Sequence, residues 1–143
     1  MSDPTAEARR LALTYVELLN ARRLDELSLA LAETLVSHLR VGDIVGITAF
    51  QGVMQMAYEA FPGVIWELDE LVVTADRAVL RYHFDAVQRG PFLGIPASHR
   101  MVRLEGIELL HIVDGRIQEI WNYADIMGLA AQLGAEAPLA LEL

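Results

Sequence analysis

The sequence predicts an α+β domain in which an antiparallel sheet curls around helices that precede it in the chain. Two observations carry that expectation. As far as Phe61, apolar residues recur mainly at helical spacing; from Val64 to Ala124 they recur at every second residue. Between the alternating runs lie turn signals and no crossover helix of the kind a parallel sheet requires. At 143 residues the chain fits one domain, 1–143, with a core of useful size.

The elements follow in order. Asp3-Pro4 reads as an N-cap followed by proline at the first helical position. Ala8, Leu11, Tyr15, Leu18 and Leu19 then form one helical stripe that runs to about Arg22. Leu24, Leu27, Leu31 and Leu35 predict a second helix over Leu24 to Leu35. Val36 to Val41 reads as a short extended piece holding His38, and Gly42-Asp43 as the opening of a loop. Thr48-Ala49-Phe50-Gln51 matches a capping box, and Phe50, Val53, Met54, Ala57, Tyr58 and Phe61 keep the helical period until Pro62-Gly63.

Strands are expected over Val64 to Thr74 and Ala78 to Val87, around the Ala75-Asp76-Arg77 turn. In the second, Ala78, Leu80, Tyr82, Phe84 and Ala86 face one way, and Arg81, His83 and Asp85 the other. Gly90 to Ser98 is a Gly/Pro loop. A β-hairpin follows, turning at Val113-Asp114-Gly115-Arg116, and Asp125 caps a last helix that ends near Leu133. The tail, Ala135 to Leu143, has Pro138 and no period, and reads as extended.

The candidate site lies in the hairpin. Leu104, Gly106, Glu108 and Leu110 share a face of its first strand, and Gln118, Ile120 and Asn122 share a face of its second. A two-residue Asp-Gly turn would set Asn122 on the face opposite Glu108; a three-residue Val113-Asp114-Gly115 loop pairs even positions with even. The three-residue loop is the reading adopted, and it brings Glu108 and Asn122 together. A carboxyl among apolar neighbours has its charged form disfavoured, so Glu108 is expected to titrate above the ordinary glutamate value. Tyr15 and His38 complete the candidate catalytic set. Phe50, Met54, Trp66, Phe92 and Ile120 are the expected apolar lining of a small-molecule cleft.

Composition narrows the function classes. There is no cysteine, hence no disulfide or thiolate chemistry, and His83, His99 and His111 are not spaced as a metal set. A net charge of −9 argues against nucleic acid and anionic membranes as partners. No leader-like or membrane-length apolar run is present, so a soluble cytoplasmic protein is expected. Hydrophobic residues make up 54% of the chain, which predicts that some apolar surface is covered by a second copy. Ile107, Leu109, Trp121 and Tyr123, on the other hairpin face, are the expected homodimer contact.

Three segments together, PFLGIPASHR, GIELLHIVDGRIQEIWNYAD and GLAAQLG, resemble the SnoaL-like polyketide cyclases of the nuclear transport factor 2-like superfamily. The similarity runs from about Tyr15 to Gly134. It implies a cone-shaped curved sheet packed on N-terminal helices, often dimeric, with a pocket between the layers and no cofactor. It also implies intramolecular aldol closure of a polyketide ring, with an aspartate as general acid/base. That aspartate matches Asn122, its partner on the preceding strand matches Glu108, and a histidine frequent near the Gly90 loop matches Gln88. An amide cannot take up a proton at neutral pH, so here the titratable group falls to Glu108.

TYVELLNARRLDEL is also similar to the start of ketosteroid isomerase, which implies Tyr15 and Glu108 as oxyanion donors, a tyrosine beside a protonated acid. The isomerase's proton-transferring aspartate matches Leu39, next to His38, which makes His38 the expected partner for moving the proton. The sequence thus predicts an enzyme enolising, isomerising or cyclising a hydrophobic carbonyl compound, without metal or cofactor. A non-catalytic ligand-binding or assembly module is the alternative that Asn122 favours. An epoxide hydrolase of this fold is a further alternative, for which Glu108 and Asn122 supply the acid and amide but no arginine and second acid accompany them.

Overall fold

Asp3 begins the first helix as the sequence predicts, its carboxylate accepting from the Thr5 amide, with Pro4 in the first turn. The protein is described by a computed structural model over residues 3–134, so the tail expected at 135–143 lies outside the described residues. Helix α1 (Pro4–Asn20) buries Ala8, Leu11, Ala12, Tyr15, Leu18 and Leu19 along one side. Burying a leucine of this kind stabilises the fold by roughly 1.5–3 kcal/mol.

The expected second helix forms only as a 3-10 segment, Leu24–Leu29, after which the chain turns into strand β1 (Leu31–Leu39). A spacing of four residues is both about one helical turn and two strand repeats, so Leu27, Leu31 and Leu35 could not separate the two. Leu31 and Leu35 are buried either way. The expected loop after Gly42 is instead an edge strand, β2 (Gly42–Val45), paired antiparallel with β1.

Helix α2 (Ile47–Ala60) buries Ile47, Phe50, Met54 and Tyr58. Its N-cap is Gly46 rather than Thr48, and no side chain caps it. Gln51, read as part of a capping box, instead donates to the Leu24 carbonyl at 2.6 Å and ties α2 to the 3-10 segment.

Strands β3 (Glu67–Val73), β4 (Arg77–Val87), β5 (Met101–Val113) and β6 (Arg116–Ala124) follow, then helix α3 (Ile126–Gln132), capped by Asp125 through the Gly128 amide. They complete a curved six-stranded sheet of order β2-β1-β6-β5-β4-β3. Every neighbouring pair is antiparallel except β1 and β6, which run parallel. That pair corrects the expectation of a wholly antiparallel sheet. The connection spans α2 and four strands, so no local sequence pattern announces it. The alternation predicted for β4 holds: Ala78, Leu80, Tyr82, Phe84 and Ala86 are buried, and Arg81 and Asp85 are exposed.

Candidate active site

The hairpin β5–β6 reaches the expected face pairing by a different route. Val113 pairs with Arg116, so the turn is the two-residue Asp114-Gly115, with φ of 50° and 73° as a type I′ turn requires. By itself this turn would have turned Asn122 away from Glu108. Between His111 and Ile112 the register shifts by one residue, and beyond the bulge Glu108 pairs directly with Asn122. The three-residue loop is therefore corrected, while the juxtaposition it was invoked to explain is present. The bulge also corrects the inner face of β6. Ile117 and Ile120 are both fully buried, and Gln118 bonds to Thr34 at the surface.

Glu108 stands at the centre of a buried hydrogen-bonded chain. Tyr15 donates its hydroxyl to Oε1 at 2.9 Å, and Asn122 donates Nδ2 to Oε2 at 2.8 Å. The same Nδ2 donates its other hydrogen to the Tyr82 hydroxyl at 2.9 Å. Burial pushes the Glu108 carboxyl above its ordinary value, against the opposing pull of the bonds from Asn122 and Tyr15. Burial and the nearby Glu108 likewise push the Tyr15 and Tyr82 hydroxyls up, so both stay protonated donors at neutral pH.

From the sequence, Tyr82 reads only as one of the inward residues of β4. Its place in the site depends on its strand partner, Gly106. A Cβ at Gly106 would lie 2.5 Å from the Tyr82 hydroxyl and 2.6 Å from its ring, so only glycine leaves room for the ring to cross β5. A glycine in mid-strand, two residues from a buried acid, is the signal that could have found it.

These four residues open onto a cavity of about 400 Å³ between sheet and helices, within the size range of small-molecule sites. Phe50, Met54, Trp66 and Phe92 line it as expected. Ile120 does not; it is fully buried core. Asn20 holds the Trp66 backbone at both ends, accepting from its amide at 2.8 Å and donating to its carbonyl at 3.0 Å. The lip is the loop from Gly90 to Ser98. Gln88, fully buried, donates to the carbonyls of Gly90 and Ile95 and accepts from the Ser98 amide. There Leu93 adopts a φ of 51°, a strained value for a branched side chain, and presents itself at the cavity mouth.

His38 is not in this site. On β1 it follows the buried Ser37 and points to the outer face of the sheet. There its ring stacks on Trp121, 5.3 Å between centroids, and its nitrogens face Asp43, at 2.8 Å, and Glu119. Those two carboxylates raise its pKa, and its role as proton carrier to the cavity is corrected: the sheet stands between. Its carboxylate neighbours sit on opposite ring nitrogens, and among the described residues no three His, Asp or Glu side chains converge as a metal set.

A family model, SnoaL-like polyketide cyclase, matches residues 9–133. Among solved structures, TsrD from Streptomyces laurentii is 29% identical at a TM-score of 0.84, covering 95% of this chain and 100% of its own. IdmH, a putative polyketide cyclase from Streptomyces antibioticus, is 25% identical at 0.78, covering 90% and 99%. AclR, a putative hydroxylase from Streptomyces galilaeus, is 25% identical at 0.79, covering 91% and 97%. No curated protein matches the chain.

Proposed function

Because this chain belongs to the SnoaL-like polyketide cyclase family, we propose that its cleft enolises a hydrophobic carbonyl compound, with Glu108 as the general base. The single observation that carries the reading is the buried carboxylate of Glu108, held by two donors and facing a largely apolar cavity. A base works best when its pKa approaches the working pH, and burial moves Glu108 in that direction.

In the proposed step the bond from the α-carbon to hydrogen breaks and the proton passes to a Glu108 oxygen. The C–H electron pair forms the new carbon–carbon double bond, and the carbonyl π pair moves onto oxygen. The enolate carbon then attacks a second carbonyl of the same molecule, closing a ring as that carbonyl's π pair moves onto its oxygen and takes the proton back from Glu108, or the enolate is reprotonated by Glu108 at another carbon. Tyr15 and Asn122 hold the carboxylate in place. Neither is the base, because an amide has no basic nitrogen and Tyr15 has its proton committed to Glu108.

Enolisation can be followed without the natural substrate, as deuterium uptake from heavy water into the α-position of β-tetralone. Catalysed uptake by the wild type, abolished by Glu108→Gln, is the expected result; undiminished uptake by the variant would falsify the role of Glu108. The amide at Asn122, where the family resemblance implies a carboxylate, favours a second reading, a binding protein of the same fold. On that reading β-tetralone binds, no uptake exceeds the buffer rate, and Glu108→Gln only removes the pH dependence of affinity.

A further inference from the structure

Two phenols flank Glu108, and their hydrogens are used differently. The Tyr15 hydrogen lies on the Glu108 carboxylate. With Glu108 ionised, only the Nδ2 side of the Asn122 amide can face it, because Oδ1 there would set two acceptors against each other. Nδ2 then also donates to the Tyr82 oxygen. Tyr82 thus accepts a bond without giving one: among the described residues its hydroxyl hydrogen has no acceptor. A buried tyrosine usually satisfies its hydroxyl, and this one lines the cavity beside the base.

We infer that Tyr82, and not Tyr15, is the catalytic donor to the substrate carbonyl oxygen, with the Asn122 amide holding the Tyr82 oxygen as an acceptor so that its hydrogen points to the substrate. The inference rests on the reading of Glu108 as the enolising base. As the α-hydrogen passes to Glu108, negative charge collects on the carbonyl oxygen, and the Tyr82 hydrogen bond strengthens with it. The bond that Asn122 makes to the Tyr82 oxygen polarises the hydroxyl in the same direction. Glycine at 106 is then a specificity-determining choice, since it lets the Tyr82 ring lie across β5 with its hydroxyl next to Asn122. Asparagine at 122 also acquires a reason. An ionised aspartate there would accept the Tyr82 hydrogen and withdraw it from the substrate.

The test uses β-naphthol, an aromatic stand-in for an enol whose absorbance separates its neutral and ionised forms. Binding in the cavity is read by quenching of Trp66 in a Trp121→Phe background, since Trp66 lines the cavity. Tyr82→Phe, which keeps the ring, is expected to weaken β-naphthol on the order of ten- to a hundredfold and to lower the ionised fraction of what is bound. Gly106→Ala, which displaces the ring, is expected to do the same, and it serves as the second variant should Tyr82→Phe not fold. Tyr15→Phe is expected to leave the ionised fraction far less changed. If Tyr15→Phe abolishes the ionised form and Tyr82→Phe leaves it intact, Tyr15 is the donor and the inference is overturned while Glu108 stands. If β-naphthol does not quench Trp66 at all, the reading of the cavity as an enolisation site fails, and the role of Tyr82 fails with it.

Discussion

Glu108 is the residue whose environment most affects both chemistry and stability. Its folded-state pKa is raised above the ordinary value of 4.5, so its contribution to stability is fully present below about pH 4.5, where the unfolded chain is protonated too. That contribution is lost as pH rises through the folded value. Glu108→Gln removes the dependence, since a glutamine can still accept from Tyr15, and Asn122 can turn its amide oxygen to receive the new NH2. The variant should therefore gain Tm relative to wild type at neutral pH, and the gain should shrink as the pH is lowered towards 4.5. A gain that instead grows on acidification would mean the carboxylate is stabilised by folding. Ser37 is a simpler case. Its hydroxyl is fully buried and, among the described residues, without a hydrogen-bond partner. Ser37→Ala should raise stability by about 1 kcal/mol in urea unfolding, because an unsatisfied buried hydroxyl is removed and little volume is lost. A destabilised variant would point to a partner for that hydroxyl.

At the scale of elements, the hairpin and the lip loop are set by a few backbone devices. Gly115 has a φ of 73° in the turn between β5 and β6, so Gly115→Ala should cost about 1 kcal/mol, read as a lower urea midpoint at unchanged slope. The lip loop depends on Gln88. Gln88→Ala strands the Ser98 amide and the Gly90 carbonyl and removes one of the two bonds to the Ile95 carbonyl, which keeps the Phe92 amide, for an expected loss of about 2 kcal/mol. Proteolysis within Gly90 to Ser98 should accelerate in that variant, and unchanged cleavage would show that the loop holds its shape by other contacts. The family resemblance puts a histidine at this place. Glutamine instead offers two donors and an acceptor together without titrating, which suits a purely structural tie.

At the scale of the molecule, the outer sheet face carries exposed apolar side chains that the site does not use. Ile107 is 44% and Tyr123 58% exposed, beside half-buried Leu109 and Trp121. We propose that this face meets its counterpart on a second copy, since a contiguous apolar surface of this kind is costly in water. Arg40 lies over the Tyr123 ring, 5.3 Å from its centroid, and His38 lies on Trp121, so charged groups already border the patch. Sedimentation should show a dimer at micromolar concentration that Ile107→Glu dissociates. A wild-type monomer under those conditions would remove the proposal. Among the described residues no helix is long and apolar enough to cross a membrane.

Much of this was legible without the fold, because it depended on local periodicity. The alternation in β4 and β5 fixed which side chains are buried, and Asp3, Asp125 and Gly115 marked their turns and caps through their own backbone preferences. Glu108 stood out as an acid on a core-facing position. What the sequence could not determine depended on partners far along the chain. Four-residue leucine spacing left β1 ambiguous with a helix until β6 lay beside it in parallel. Whether Asn122 faced Glu108 turned on a bulge at His111, which compensates for a turn one residue shorter than expected. His38 lost its place because the phase of β1 in the sheet turns it outward, and Ile120 because the core closes over it. Tyr82 gained its place only because a glycine on the neighbouring strand lets its ring cross. Periodicity says which face a residue is on; only packed neighbours decide what that face meets.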